Sequence, residues 1–130
     1  MEISISTTQK KQVIDITEQL GNLISKQEID SGISVIVVKH TTAAITTADL
    51  DPGTDLDLLK FLQAITPKMQ WKHPHNPAHA PAHLLSSIIG CSLTLNIKNG
   101  AFDLGSWQRI ILIELDGPRE RNLSINFLKV

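Results

Sequence analysis

The chain has 130 residues, of which 42% are hydrophobic, and its formal net charge is −1. This length predicts one domain with its own core, and the near-neutral charge excludes a disordered chain and a strongly basic nucleic-acid surface. No apolar run approaches the roughly 20 residues that cross a bilayer, and the first residues lack the apolar block of a signal peptide. The single cysteine, Cys91, excludes an intrachain disulfide and fits a reducing compartment, so we expect a cytoplasmic protein.

The first quarter of the chain predicts two strands and a helix before a central strand. Residues 2–7 alternate polar and apolar, and the apolar group at 13–16 follows a polar turn, which favours a hairpin of two short strands. Thr17 is predicted to cap a helix over residues 17–27. Residues 33–38 are β-branched and apolar at nearly every position, a pattern typical of a central strand buried on both faces.

A polar segment follows that buried strand directly. It consists of Lys39, His40, Thr41 and Thr42, and a short strand at 45–47 comes next. An imidazole titrates near neutral pH, so His40 is suited to a cleft at the end of the sheet. The alternative is that these residues only cap the strand end.

Asp51 and Pro52 predict the start of a second helix, with Asp51 as its N-cap and Pro52 in the first turn. Apolar residues at helical spacing continue through 58–65, and Pro67 ends the helix. Four carboxylates gather around its start and either bind a cation or interact with the positive end of the helix dipole: Asp49, Asp51, Asp55 and Asp57.

The stretch from Lys72 to Gly90 carries most of the candidate chemistry. Interleaved prolines predict a loop, which leads into a helix that begins near Pro81 and stops at Gly90. The imidazoles of this stretch are potential proton carriers or metal ligands, and the alternative is a solvated connector. They belong to His73, His75, His79 and His83.

The last third predicts antiparallel strands. Residues 91–97 alternate strictly and are predicted to bury Cys91, and Asn99-Gly100 favours a tight hairpin turn. Strands are then expected over 107–115 and 123–127, the first of them including Trp107. Hairpins dominate over βαβ units, so the fold class is α+β.

Four motifs, in this order and spacing, resemble the YjbQ-like family, whose members carry the name secondary thiamine-phosphate synthase. The motifs are HTTAAIT followed by DP, then AHLLSSIIG, GSWQ and DGPR. The resemblance implies a single YjbQ-like domain over residues 1–130, with a mixed, mostly antiparallel sheet of seven strands and two to three helices. It also implies a cyclic homotrimer and a histidine site that holds a divalent metal, most often zinc, with magnesium as the alternative for pyrophosphate chemistry.

The resemblance also assigns roles to residues. It implies metal ligands at His40, His73 and His83, with catalytic roles for His40 and His83. Many relatives carry a glutamate where this chain has Ala48, so either Asp49 takes that catalytic role or the chain lacks it. The substrate-binding candidates are Thr41, Thr42, Ser86, Ser87, Trp107, Gln108 and Arg119. The roles of His75 and His79 stay open.

Three hypotheses follow for the function. The first is coupling of hydroxymethylpyrimidine pyrophosphate with thiazole phosphate, which releases pyrophosphate and requires cations to neutralise the leaving group. The second is a metal-dependent hydrolase of a small phosphorylated or amide substrate. The third is a non-catalytic metal-binding trimer.

Besides further copies of the chain, the expected partner is a small phosphorylated substrate, without nucleic acid or membrane. Candidate cations are Lys39, Lys72, Arg109 and Arg119. The default expectation for both Arg119 and Arg121, which follow the DGP turn, is an ordinary solvated charge.

Overall fold

Alternating apolar and polar residues build two antiparallel sheets in the computed structural model, which describes residues 1–130. One sheet has five strands in the order β1-β8-β3-β5-β6, and the other has three in the order β2-β7-β4. Every pairing is antiparallel, so the expectation of one mixed seven-stranded sheet is wrong. The strands are β1 (Glu2–Ser6), β2 (Gln12–Asp15), β3 (Ser31–Val38), β4 (Ala43–Ala48), β5 (Ser92–Lys98), β6 (Ala101–Phe102), β7 (Arg109–Glu114) and β8 (Glu120–Lys129).

Three helices complete the α+β fold, as predicted. The third begins next to Pro81 and stops at Gly90, as predicted, but the N-caps of the first two differ from the predictions. Thr17 does not cap the first helix: the N-cap is Ile16, and the Thr17 hydroxyl donates to the Asp15 carboxylate at 2.6 Å. The second helix begins three residues after Asp51, because Gly53 adopts a left-handed φ of 91° at the N-cap. The helices are α1 (Thr17–Ser25), α2 (Thr54–Ile65) and α3 (Ala80–Ile89), and a single 3₁₀ turn (Pro77–His79) precedes α3.

The core lies in two layers that share the three-stranded sheet. Between the sheets, β3 and β8 pack against β7 and α1 through side chains such as Ile36, Leu112 and Leu123. On the far side, α2 and α3 cover the same sheet through Leu62 and Leu85. Both faces of β7 are therefore buried, whereas β3 is buried only on alternate positions. The prediction of two buried faces fails for β3 because no helix layer covers its outer side.

Three further predictions about local structure have different outcomes. The hairpin of the first two strands is wrong, because β1 pairs with β8 and β2 pairs with β7, so residues 7–11 cross between sheets. The tight turn at Asn99-Gly100 is confirmed, with φ of 53° and 77° and β5 paired to β6. Cys91 precedes β5 and is exposed, which corrects its predicted burial.

Of the helices, not one combines the length and the apolar character needed to cross a membrane.

Candidate functional site

Three segments carry the chain from one sheet to the other at the same end of the molecule, which we call the crossover end. They are residues 7–11, 39–42 and 115–119. Backbone hydrogen bonds tie the segments together: Leu115 N–H donates to the Thr42 carbonyl at 3.1 Å, and Thr7 N–H donates to the Arg119 carbonyl at 2.8 Å. The crossover end therefore gathers side chains that are far apart in the sequence.

A buried ion pair between Glu114 and Arg121 lies at the centre of the crossover end. Their side chains are 0% and 1% exposed. Arg121 Nε donates to Glu114 Oε1 at 2.8 Å, its Nη2 donates to Oε2, and the Thr7 hydroxyl donates to Oε1 at 2.7 Å. Burial raises the pKa of Glu114, but the hydrogen bonds from Arg121 and Thr7 outweigh it and hold that pKa below its usual value. The carboxylate stays ionised and fixes the guanidinium in one orientation.

A cavity of about 370 Å³, which we call the polar pocket, opens above this pair, and no hydrophobic side chain lines it. Arg121 Nη2 also donates to the carbonyl and hydroxyl of Thr42, at 3.0 and 2.9 Å. All its hydrogen bonds within the chain thus use Nε and Nη2, which leaves the Nη1 protons for a ligand. The lining residues are Lys39, His40, Thr41, Thr42, His79, His83, Asp116, Arg119 and Arg121.

His40 is held in one tautomer by the backbone of β8. Its Nε2 accepts a hydrogen bond from Asn122 N–H at 2.8 Å, so the proton of the neutral ring is on Nδ1. Burial and the charge of Arg121 lower the pKa of His40, and Arg119 and Lys39 add to this effect against the opposing carboxylate of Glu114. At neutral pH His40 is therefore an uncharged N–H donor in a positively charged environment.

Asp116 connects the polar pocket to its outer wall. Its carboxylate lies 3.0 Å from Arg119 Nη2, 3.5 Å from Lys10 Nζ and 3.8 Å from His79 Nδ1. Burial raises the pKa of Asp116, but the interactions with His79, Arg119 and Lys10 outweigh it and lower the pKa. This carboxylate fixes Arg119 and His79 at the edge of the pocket.

The other histidines stack on one another. The rings of His73 and His83 are 4.8 Å apart between centroids and inclined by 22°, and His75 lies edge-on to His73 at 6.4 Å. Nδ1 of His73 is buried without a hydrogen-bond partner. Stacked rings direct their nitrogens outward in parallel planes rather than at one point, and the Nε2 lone pair of His40 already accepts from Asn122.

The residues of one chain therefore do not fit the predicted three-histidine metal centre. Nowhere in residues 1–130 do three or more His, Cys, Asp or Glu side chains form a group that could hold a metal ion. The acidic cluster at the start of α2 does not form such a group either. Two of its four carboxylates, Asp55 and Asp57, lie in the first turn of α2 and interact with the helix dipole.

Several predicted site residues lie outside the polar pocket. Asp49 is exposed, and its carboxylate accepts from Asp51 N–H at 3.2 Å. The hydroxyl of Ser86 donates to the Ala43 carbonyl at 2.6 Å, and that of Ser87 donates to the His83 carbonyl at 3.1 Å. These contacts hold α3 against β4 and satisfy backbone groups of α3.

The loop before β7 lies at the opposite end of that strand from Glu114. Its Trp107 is 75% exposed, and Gln108 Nε2 donates to the Thr47 hydroxyl at 2.9 Å. Gln108 Oε1 also accepts from Gly105 N–H at 3.0 Å, so the loop is fixed from both sides. Of the predicted site residues, the polar pocket brings together His40, Thr41, Thr42, His83 and Arg119.

The sequence interpretation missed the charged pair beneath the pocket. It treated Arg121 as a solvated charge and gave Glu114 no role, although both are fully buried. The alternation of residues along β8 could have indicated this burial. Side chains two residues apart lie on the same face of a strand, so Arg121 shares its face of β8 with the buried Leu123 and Ile125. A charge on the inward face of a strand requires a buried partner of opposite sign.

Comparison with known proteins places this arrangement in a family. The model of the UPF0047 protein YjbQ-like family matches residues 1–130. The chain belongs to the YjbQ-like UPF0047 family. A UPF0047 protein of Methanocaldococcus jannaschii is 39% identical over 125 residues, which cover 95% of this chain and 90% of that protein. The UPF0047 protein YugU of Bacillus subtilis is 35% identical over 130 residues, covering 97% and 96% of the two chains.

Solved structures of the family share the fold. A structure from Sulfolobus solfataricus, described as a YbjQ-like protein of unknown function, superimposes with a TM-score of 0.92 at 34% identity. It covers 100% of this chain, and this chain covers 96% of it. A structure from Aeropyrum pernix, described as a hypothetical protein, gives the same TM-score of 0.92 at 34% identity over 100% and 98% of the two chains. The YjbQ-like family and its α+β architecture are thus shown across the full chain.

Proposed function

We propose that this YjbQ-like chain is an enzyme that binds a small phosphorylated substrate in the polar pocket. The observation that supports this most is the buried guanidinium of Arg121, which is 1% exposed and keeps its Nη1 protons free at the floor of an entirely polar cavity. Fixed guanidinium groups bind phosphate oxygens with defined geometry. Arg119 at the edge and Lys39, whose only ionic partner is the exposed Glu2, add two further cations.

The reaction we propose first is the coupling of hydroxymethylpyrimidine pyrophosphate with thiazole phosphate, as the family resemblance implies. A bond forms between the thiazole nitrogen and the pyrimidine methylene carbon while the carbon–oxygen bond to pyrophosphate breaks. Negative charge then develops on the leaving oxygens, and preorganised donors stabilise it. In this proposal Arg121 and Arg119 bind the pyrophosphate, and Nδ1–H of His40 donates to it.

Hydrolysis of one small phosphorylated substrate is the second candidate. A cavity of about 370 Å³ lies near the lower limit of the roughly 300–1,000 Å³ typical of small-molecule sites, so it accommodates one small substrate more easily than two. In this version His83 takes a proton from the attacking water, and the same arginines bind the phosphoryl oxygens. A non-catalytic binding role would use the same pocket without turnover.

We also propose that the chain assembles as a homotrimer through the outer face of α2 and α3. Large apolar side chains on this layer are unusually exposed, among them Phe61 (62%), Ile65 (56%), Met69 (60%) and Ile88 (79%). Ile65, Ile88 and Met69, the last in the loop after α2, line an apolar groove of about 350 Å³. Contiguous apolar surface of this kind marks protein interfaces, and further copies of the same chain are the simplest occupants.

The divalent metal, zinc or magnesium, stays a prediction from the resemblance. Metal analysis of the purified protein tests it, with His40→Ala and His83→Ala as comparisons. Loss of bound zinc in both variants would support a centre that uses these residues, and equal metal content in all three proteins would exclude it.

The function is tested by incubating the purified protein with both substrates and measuring thiamine phosphate by mass spectrometry. We expect the product from the wild type, and a loss of about a hundredfold in rate for Arg119→Ala, because one oriented donor contributes roughly this much. Lys98→Gln, in β5 and outside the pocket, serves as the matched control. No thiamine phosphate above a His83→Ala background would contradict coupling, and phosphate release from either substrate alone would indicate hydrolysis.

A further inference from the structure

A second cavity, larger than the polar pocket, lies on the other side of the 3₁₀ turn (Pro77–His79). It has a volume of about 440 Å³, and we call it the basic cleft. The basic cleft and the polar pocket share two lining residues, His79 and Asp116. These side chains therefore form a common wall, and molecules bound in the two cavities would approach each other there.

The charge of the basic cleft is positive. Lys10, Lys11 and Lys68 line it, and Asp116 is its one carboxylate. Asp116 pairs with Lys10 at 3.5 Å and is also neutralised by Arg119, whereas Lys11 and Lys68 take part in no ion pair. Two ammonium groups are thus available to an anionic ligand.

The backbone that carries two of these lysines is fixed. Gly117 N–H donates to the Lys10 carbonyl at 2.9 Å, and Thr8 N–H donates to the Gln12 side chain at 2.9 Å. The contact at Gly117 is so close that a Cβ there would lie 2.4 Å from the Gln9 carbonyl. Residues 7–11 are therefore held against the 115–119 segment, and the positions of Lys10 and Lys11 along the rim are preorganised.

An aromatic surface completes the basic cleft. Trp71 lines it and is half-buried, and the same side chain also lines the apolar groove beside α2 and α3, so the indole lies between the two cavities. A flat heterocycle stacks favourably on such a surface. Lysines beside an indole that lines the same cavity suit a ligand that combines a flat ring with a phosphate.

We propose that the basic cleft is a second ligand site, which binds a heteroaromatic monophosphate through Trp71, Lys11 and Lys68. This inference rests on the proposed coupling reaction, in which the cleft holds thiazole phosphate while the polar pocket holds the pyrophosphate substrate. It explains how two substrates are accommodated when the polar pocket alone suits one. His79 and Asp116 lie where the two ligands meet.

Binding is tested by fluorescence, because the chain has two tryptophans and no tyrosine. In a Trp107→Phe background Trp71 is the single strong fluorophore, and titration with thiazole phosphate should change its emission saturably. Inorganic phosphate at the same concentration, which lacks the ring, should leave the emission nearly unchanged. Lys11→Gln combined with Lys68→Gln should weaken the affinity by roughly fivefold to tenfold, as expected for two partly solvated ion pairs. The matched control, Lys26→Gln with Lys98→Gln, should bind as the wild type does.

Equal affinity in the cleft variant and the control, or no response of Trp71, would overturn the proposal. Steady-state kinetics test the cleft proposal separately from the proposed reaction. The cleft variant should have a higher KM for thiazole phosphate and an unchanged KM for the pyrophosphate substrate. If coupling occurs and neither KM changes, the cleft is not the second site. If no coupling occurs but Trp71 still reports binding that depends on Lys11 and Lys68, the cleft proposal stands and the coupling reaction falls.

Discussion

The crossover end and the outer face of α2 and α3 distribute polar and apolar side chains in opposite ways. At the crossover end, Glu114 and Arg121 are removed from water although each carries a full charge. On the helix face, Phe61 and Ile88 are left in water although they are apolar, with exposures of 62% and 79%. Each arrangement costs free energy in an isolated chain, because the charges are desolvated in one and apolar surface is hydrated in the other.

The two costs have different consequences. The buried charges are compensated within the chain by at least five hydrogen bonds to fixed partners, so they form a rigid floor for a ligand. The exposed apolar side chains have no such compensation within the chain, and this is the surface through which we propose that the trimer forms. Within one fold, the crossover end therefore has the character of a binding site, and the helix face has that of an interface.

The largest expected effect comes from removing one member of the buried pair. Glu114→Ala leaves the Arg121 charge uncompensated in the interior and should lower the free energy of unfolding by about 3–5 kcal/mol. Urea denaturation followed by circular dichroism measures it. The exposed pair of Arg109 and Asp15, at 2.8 Å, is the control, and Arg109→Gln, which leaves the hydrogen bonds of Asp15 to Thr17 in place, should cost no more than about 1 kcal/mol. Equal losses in the two variants would contradict the distinction between the buried and the exposed pair.

A smaller loss is expected where two crossover segments touch. In Gly117→Ala the new Cβ would lie 2.4 Å from the Gln9 carbonyl and 2.8 Å from Glu114 Cγ, and overpacking of this kind costs about 1–3 kcal/mol. Gly21→Ala in α1 is the same change with no heavy atom within 4 Å, and it should stabilise the protein by about 0.5–1 kcal/mol. The midpoint temperature of thermal unfolding should therefore fall in Gly117→Ala and rise in Gly21→Ala. A shift in the same direction in the two variants would contradict the close contact at Gly117.

The pH dependence of stability should show the environment of His40. The fold lowers the pKa of His40, so the folded state favours the neutral imidazole. The stabilisation that results is fully present above the unfolded pKa of about 6.5, and it is lost as the pH falls through the folded pKa. Wild-type stability should therefore decrease from pH 7.5 to 5.5. In His40→Gln this decrease should be smaller, and unchanged pH dependence would mean that His40 is not the titrating group. Below about pH 4.5 a further loss is expected as Glu114 becomes protonated.

The smallest effect on the chain itself is expected at the helix face. Ile88→Glu changes a side chain that is 79% exposed, so the stability of a single chain should change by no more than about 0.5 kcal/mol. The assembly should nevertheless dissociate, and sedimentation velocity should record a fall from three chain masses to one. Leu128→Glu, at 60% exposure on β8 in the other sheet, is the control and should leave the mass unchanged. A wild type that sediments as a single chain would contradict the trimer.

Local patterns predicted most elements of this fold. Alternation identified β5 and β8, and Asn99-Gly100 identified the turn before β6, because these features depend on neighbouring residues alone. The pairing of β1 with β8 could not be predicted in the same way. Two short strands joined by residues 7–11 form a hairpin by default, and only the packing of two sheets decides otherwise.

The candidate site was predictable only in part, for the same reason. His40 was found because it follows a buried strand, and His83 because the family motif marks it. Asp116 and Glu114 act through contacts with residues of other segments, such as Lys10, Thr7 and Arg121, and such contacts have no local pattern. The stacking of His73 on His83 likewise depends on how the loop returns to α3.

The position of β8 constrains how the protein is made. β8 lies between β1 and β3 in the five-stranded sheet, and both of those strands leave the ribosome long before it does. During synthesis β3 therefore exposes one unpaired edge, and β1 has no neighbour at all, until β8 emerges. The Arg121 that neutralises Glu114 arrives with that same strand. The five-stranded sheet and the charged floor of the pocket therefore both depend on β8.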